Sequence, residues 1–192
     1  LMQRLAREAP GVSISTVRNT ALDLKDALAG AAPGPAVDLA IGLLPPLPGG
    51  YFQRRLFGQR YVVLLRRGHP LAARRRLSLA EFSAAEHLLV ASAGTAHGQV
   101  EAQLARAGVR RTVRLAVPHF VAIGHILQAT DLLATVPEKL AQRMAERLGL
   151  LALQHPARLP AATIRMHWHA RVHREPGNRW LRELVADSFG ER

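Results

Sequence analysis

The chain has 192 residues, 48% of them hydrophobic, enough to bury a sizeable core in one domain or two small lobes. No apolar run approaches the roughly 18 residues of a membrane span, and the first residues, LMQRLAREAPG, lack the charged and apolar regions of a secretory signal, so the chain reads as cytoplasmic. With no cysteine, disulfides, thiolate catalysis and Cys-based metal sites are excluded. Lys and Arg number 26 against 14 Asp and Glu, a net charge of +12. The cations are scattered arginines, densest at Arg74-Arg75-Arg76, aromatic residues are 5% and no reading motif accompanies them, so this chain is not expected to read DNA by itself.

Met2, Leu5 and Ala9 stand at helical spacing and Pro10-Gly11 stops them, which predicts a helix over 1–9. That helix starts without a cap, which suggests a chain preceded by further residues. Residues 12–17 alternate as a strand. Thr20, with Asp23 three places on, caps a helix over 21–29 with Leu24 and Leu28 inward and Gly30 as its stop. Residues 31–36, with Pro33 and Pro35, read as a loop, and 37–42 as a short buried parallel strand. Residues 43–50, LLPPLPGG, are rigid and apolar with neither helical nor strand period. They form either a plain connector whose prolines limit its entropy or a pocket wall at a strand's carboxyl end.

Residues 51–67 hold two strands turning near Gly58-Gln59, and His69 before Pro70 reads as a turn residue. Ser78-Leu79-Ala80-Glu81 is a capping box opening a short helix. Residues 87–92 form a strand, followed through Ser92-Ala93-Gly94-Thr95 by a helix with Val100, Leu104 and Ala107 on one face and Gly108 at its end.

The strongest organisation lies in 113–137, VRLAVPHFVAIGHILQATDLLATVP. Val113, Leu115 and Val117 alternate as a strand, Phe120, Ile123, Ile126 and Leu127 take helical spacing, and 132–136 is a second apolar strand. Strand, helix and strand within this length make a βαβ unit. Ligands of open α/β sheets bind beyond the carboxyl ends of strands, so the turn Pro118-His119-Phe120 is a ligand-contacting candidate. Parallel topology would bring the 92–98 turn to the same edge, giving an anion cradle from Ser92, Thr95, His97, His119 and backbone N–H groups. For Ser92 or Thr95 alone, ordinary helix capping is the plainer account, and His97 could equally be a solvated first-turn residue.

Pro137 sits as the first residue of a helix with Leu140, Met144 and Leu148 inward and Gly149 at its end. Residues 150–153 form a short strand and 156–160 a loop. Residues 163–173 then alternate throughout: Ile164, Met166, Trp168, Ala170 and Val172 on one face, Arg165, His167, His169, Arg171 and His173 on the other. Glu175-Pro176-Gly177 opens the last helix, with Trp180, Leu181, Leu184, Val185 and Phe189 as its buried stripe. His167 and His169, with His173 beyond, have the spacing of metal ligands on a strand. No carboxylate is near in sequence, and Arg165 and Arg171 flank the pair, so a polar strand face is the better reading and no metal or cofactor is expected. Nucleophile elbow, P-loop and dinucleotide fingerprint are all missing, so the chain reads as a binder rather than an enzyme.

Six segments in order carry a family likeness: VDLAIGLLP (37–45), RYVVLLRRGHPLA (60–72), LSLAEF (77–82), HLLVASAG (87–94), VPHFVAIGHILQATDLLATVP (117–137) and WHARVHREPGNRWLRE (168–183). Together they resemble the effector-binding domain of LysR-type transcriptional regulators. Within that family the chain is most similar to the aromatic-acid-responsive regulators of naphthalene and nitrotoluene degradation, close to the nodulation-gene activators.

The resemblance implies an α/β fold of two Rossmann-like lobes joined by two crossover strands, like the type 2 periplasmic binding proteins. Lobe I would take 1–65 and 162–192, and lobe II 66–161. A winged helix-turn-helix domain, absent from this chain, would precede them and make the only DNA contact. The interlobe cleft would hold a small aromatic carboxylate, salicylate-like, between apolar walls (Leu43, Leu44, Pro45, Phe52, Phe120) and an anion-friendly floor (Ser92, Thr95, His97, His119). A homodimer or tetramer is implied, residues 1–17 of one copy meeting 112–117 and 137–148 of another. The alternative on the same architecture is a free solute-binding protein for uptake of a small carboxylate, which would need an export signal.

Overall fold

The computed structural model describes residues 1–17, 24–32, 34, 36–44, 46–91 and 97–190, with backbone only for 97–99. The chain divides into two compact units, Leu1–Gly58 with Thr163–Arg192, and Gln59–Ala162.

The second unit is built around β3 (Tyr61–Arg66), whose run Val62–Leu65 is buried on both faces, as a central strand between helical layers should be. Its sheet has the order β5 (Thr112–Val117), β4 (Glu86–Val90), β6 (Leu133–Pro137), β3, β7 (Leu150–Gln154). β4 runs parallel to both β5 and β6, whereas β3 is antiparallel to β6 and β7. The βαβ unit is therefore present, but β4 lies between its two strands. Val62 and Leu64 face one core with Ile123 and Leu127 of α5 (Ile123–Gln128) and Ala141 of α6 (Glu138–Leu148). Val63 and Leu65 face the other, with Phe82 of α3 (Leu79–Ala84) and Val100 and Leu104 of α4 (His97–Arg106).

The helix ends follow local chemistry. Ser78 Oγ accepts from Glu81 N at 3.1 Å, and Ser78 N donates to Glu81 Oε2 at 2.8 Å, completing the capping box of α3. Gly149 closes α6 with φ 62°, a conformation that costs a Cβ-bearing residue more than glycine. Pro137 is the cap of α6 and the last residue of β6 rather than the first helical residue.

In the first unit, β8 (Ala162–His169) lies between β1 (Ala40–Gly42) and β2 (Tyr51–Gln59). β8 is antiparallel to β1, so the expected parallel strand at 37–42 is short and runs against its described partner. Ile164, Met166 and Trp168 enter a core with Leu56, Val172 and Val185, the last on α7 (Pro176–Phe189). A smaller core on Leu24 and Leu28 of α2 (Leu24–Ala29) takes Ala40, Leu44 and Tyr51. Buried Arg182 donates to the His173 carbonyl at 2.9 Å and lies 4.5 Å over the Trp168 ring, fixing the start of α7.

Four further expectations change. Residues 12–17 join no sheet among the described residues, because alternation sets an extended backbone but a strand needs a ladder partner. The alternation of 163–173 ends at His169, whose Nδ1 accepts from Arg171 N at 3.2 Å and starts a 3-10 turn over Ala170–Val172. β2 and β3 are not a hairpin: they belong to different sheets, with Arg60 between them. The first crossing accordingly falls at Gly58–Gln59 rather than after Leu65, because both ladders of β3 are made inside the second unit. Residues 18–23, 33, 35, 45, 92–96 and 191–192 lie outside the described residues, and with them the Thr20 cap and the two prolines of the 31–36 loop.

Candidate functional site

In the second unit, β5 and β4 run side by side and Ala91 N donates to Val117 O at 2.9 Å, so their carboxyl ends are level. The chain leaves β5 through Pro118 into His119, whose φ of −141° and ψ of 150° are extended. His119 caps the 3-10 helix Phe120–Ala122 through its backbone position, with no capping bond from the imidazole. Phe120 is half-buried against the core of Ile123 and Leu127, while Val121 is 83% exposed. This turn thus sets an exposed imidazole beside an anchored ring and an uncovered aliphatic side chain.

The neighbouring strand end leads to α4, a ten-residue helix that begins at His97. The first turn of such a helix offers free N–H groups, which favour anions. Ser92 and Thr95 fall outside the described residues, and of His97 only the backbone position is described.

In the first unit, Leu43 and Leu44 follow the carboxyl end of β1, and Leu44 packs with Leu24, Leu28 and Tyr51. Phe52 goes elsewhere. Its ring stacks on His173 at 3.9 Å and lies parallel to Trp168 at 6.0 Å, in the layer opposite to Leu44. Tyr51 and Phe52 are consecutive strand residues and so point to opposite faces. Leu44 is therefore grouped with Tyr51, not with Phe52, and Pro45 lies outside the described residues.

The histidines of 167–173 are occupied separately. His169 meets Tyr51 edge-on at 4.8 Å, His173 Nδ1 accepts from Trp168 Nε1 at 3.0 Å, and His167 is buried. Among the described residues no three His, Cys, Asp or Glu side chains are grouped for a metal. A cavity of about 400 Å³ in this unit is lined by Arg4, Arg54, Arg55 and Asp187 over Leu56 and Ala186, and contains none of the candidate residues. Arg4 there is already engaged by Glu8 at 2.9 Å and Asp187 at 3.6 Å.

Sequence reading missed a polar cluster deep in the second unit. His87 and His155 both meet the buried Phe82 edge-on, at 4.5 and 4.8 Å, and Arg111 pairs with Glu101 nearby. His87 Nε2 donates to the Phe82 carbonyl at 2.7 Å. Burial pushes both imidazoles down to about 4. Nothing in their spacing betrays the pair, because 68 positions (155 − 87) separate them. His69 is the turn residue its neighbours suggest: Nδ1 accepts from Leu71 N at 2.9 Å, leaving Nε2 to donate to the Asp131 carbonyl at 3.0 Å.

Two α/β units crossed twice by the chain define the architecture of type 2 periplasmic-binding-protein-like domains. The regulatory domain of MexT, a transcriptional activator in Pseudomonas aeruginosa, superposes with a TM-score of 0.81 at 30% identity, over 98% of this chain and 90% of that one. The description "LysR substrate binding domain" fits residues 1–190, and the chain belongs to that family. It is 49% identical to the HTH-type transcriptional activator NagR of Ralstonia sp. over 191 residues, and 50% identical to the HTH-type transcriptional activator NahR of Pseudomonas putida over 189. Those alignments take 100% and 98% of this chain but 62% and 61% of the relatives, so the chain spans about six-tenths of their length. No helix among the described residues is long and apolar enough to cross a membrane.

Proposed function

We propose that this chain is the effector-sensing part of a LysR-type transcriptional regulator and that its effector is a small aromatic carboxylate of the salicylate class. The observation that carries the reading is the His119–Phe120 turn, level with the strand end that feeds α4. An imidazole and helix N–H groups supply charge-assisted donors to a carboxylate, and Phe120 and Val121 supply apolar surface for a ring. Regulation reaches DNA through a helix-turn-helix domain outside the 192 residues, and the chain does no chemistry of its own. The relatives' names favour regulation over solute uptake.

Calorimetry with salicylate tests this. The wild-type chain binds, and His119→Ala loses about 1–3 kcal/mol of binding through the lost charged hydrogen bond. Melting without ligand is little changed, since His119 is exposed. Unaltered affinity in His119→Ala removes this residue from the site. Failure of every aromatic acid to bind removes the ligand class.

A further inference from the structure

Two basic segments that the effector reading leaves unused meet at one end of the second unit. Arg66 pairs with Leu150, Leu64 with Ala134, His87 with Leu133 and Glu86 with Thr112, so β3 ends where β4, β5 and β6 begin. The His119 turn follows the opposite end of β5. Residues 67–78 leave β3 here, and 106–111 lead from α4 into β5. Each segment is anchored by one side chain, Leu77 or Val109, buried in the core that takes α3 and α4. Arg67, Arg75, Arg76, Arg106 and Arg110 of these segments are exposed.

Carboxylates do not balance these five charges. The second unit has six, and five already hold another arginine: Glu81 with Arg74 at 2.9 Å, Glu86 with Arg114 at 2.9 Å, Glu101 with Arg111, Asp131 with Arg66 at 2.7 Å and Glu138 with Arg60 at 3.1 Å. The sixth, Glu146, lies on α6 in the other helical layer. Among the described residues, the five exposed arginines have no ion pair and no side-chain hydrogen bond. Like charges gathered on one edge repel one another, and an external polyanion relieves that repulsion.

The spacing of the charges says what kind of polyanion. In the order β5, β4, β6, β3, Arg110 precedes the first strand and Arg67 follows the last, three strand spacings or roughly 14 Å apart. That span is comparable with the ~12 Å major groove of duplex DNA, and far exceeds one small anion. Residues 67–78 and 106–111 expose no large hydrophobic side chain, whereas the core of a protein–protein interface is apolar and aromatic. The edge therefore suits phosphates better than an acidic protein.

We propose that this edge of the second unit docks on the phosphate backbone of duplex DNA without regard to sequence, through Arg67, Arg75, Arg76, Arg106 and Arg110. The partner rests on the regulator reading; the surface does not depend on which effector binds. Such a contact adds to that of a helix-turn-helix domain, since phosphate contacts position a protein on DNA and base contacts specify where.

Fluorescence anisotropy of the whole chain with two short duplexes of unrelated sequence, over a range of salt concentrations, tests it. Both duplexes bind alike, and log affinity falls against log salt with a slope of about −4.5, or about 0.9 for each phosphate neutralised. Replacing Arg75→Gln and Arg76→Gln together makes the slope shallower by about two and weakens binding roughly tenfold at low salt. Arg7→Gln with Arg54→Gln, the same loss of charge from exposed positions of the first unit, leaves the slope near that of the wild type. No binding at low salt overturns the proposal, and equal losses in the two double variants overturn its placement on this edge. A preference for one duplex overturns the indifference to sequence. Polyglutamate bound as tightly as duplex assigns the edge to an acidic protein and overturns the choice of DNA. Salicylate calorimetry is unaltered in the Arg75→Gln, Arg76→Gln chain, so failure here and failure of the effector reading are told apart.

Discussion

His87 and His155 pay a desolvation cost that the core accepts because each ring also fills space against Phe82. In the unfolded chain both take up protons near the ordinary 6.5, whereas in the folded chain they do so only near 4. Between those values the unfolded state binds more protons, so stability falls as the pH falls from 6.5 toward 4. Each displaced unit is worth about 1.4 kcal/mol at full extent. Thermal melting followed from pH 7.5 to 4 checks this: the melting temperature should drop steeply below about 6.5, and a flat profile there would show that the pair is not buried as described. The same scale explains what could not be read beforehand. A histidine's burial depends on which distant ring it meets, and neither Phe82 nor His155 announces itself at His87.

At the scale of elements, the most legible strand is β3, since four consecutive apolar residues between polar ends leave no exposed face. Leu64 is completely buried in the layer of α5 and α6. Leu64→Ala should cost about 2–5 kcal/mol by urea denaturation, while Val12→Ala, in a segment that joins no described ladder, should stay within about 0.5. Equal costs would mean that 12–17 is as firmly held as β3. Periodicity located both segments, but it could not say whose sheet they enter. Alternation alone therefore predicts a strand at 12–17, and an apolar run alone cannot assign β3 to the second unit, where its ladders are made. The candidate site was legible in the same partial way. The turn at His119 follows from strand, proline and helix in 113–137. The grouping of Phe52 with Leu44 did not follow, because assigning a face needs the register of β2, which composition does not fix.

At the scale of the whole molecule, β5 is an edge strand whose Val113 and Leu115 are 40% and 39% exposed. Apolar side chains on an uncovered edge invite a partner strand or helix. We expect the copy-to-copy pairing implied by the family likeness, residues 1–17 against 112–117 and 137–148, to be two-fold and isologous. Sedimentation at tens of micromolar, on the order of ordinary domain affinities, should show a dimer, and Leu115→Asp should convert it to monomer without lowering the melting temperature of the isolated fold. A wild-type chain that sediments only as monomer would refute the pairing.

The central position of β8 in the first sheet also fixes a timetable. The second unit is one uninterrupted length, Gln59–Ala162, and can complete its sheet as soon as β7 has been made. The first unit cannot, because β1 and β2 are joined only through a strand that the ribosome delivers after the whole second unit. Its opening segment must therefore wait, with the ladder edges of β1 and β2 unsatisfied, until the chain returns. Closing the intervening length over a unit that is already compact costs less entropy than closing a loose loop of the same residues. Early maturity of the inserted unit is thus what makes the late return affordable, and a nascent chain halted before β8 would expose the edges most prone to wrong partners.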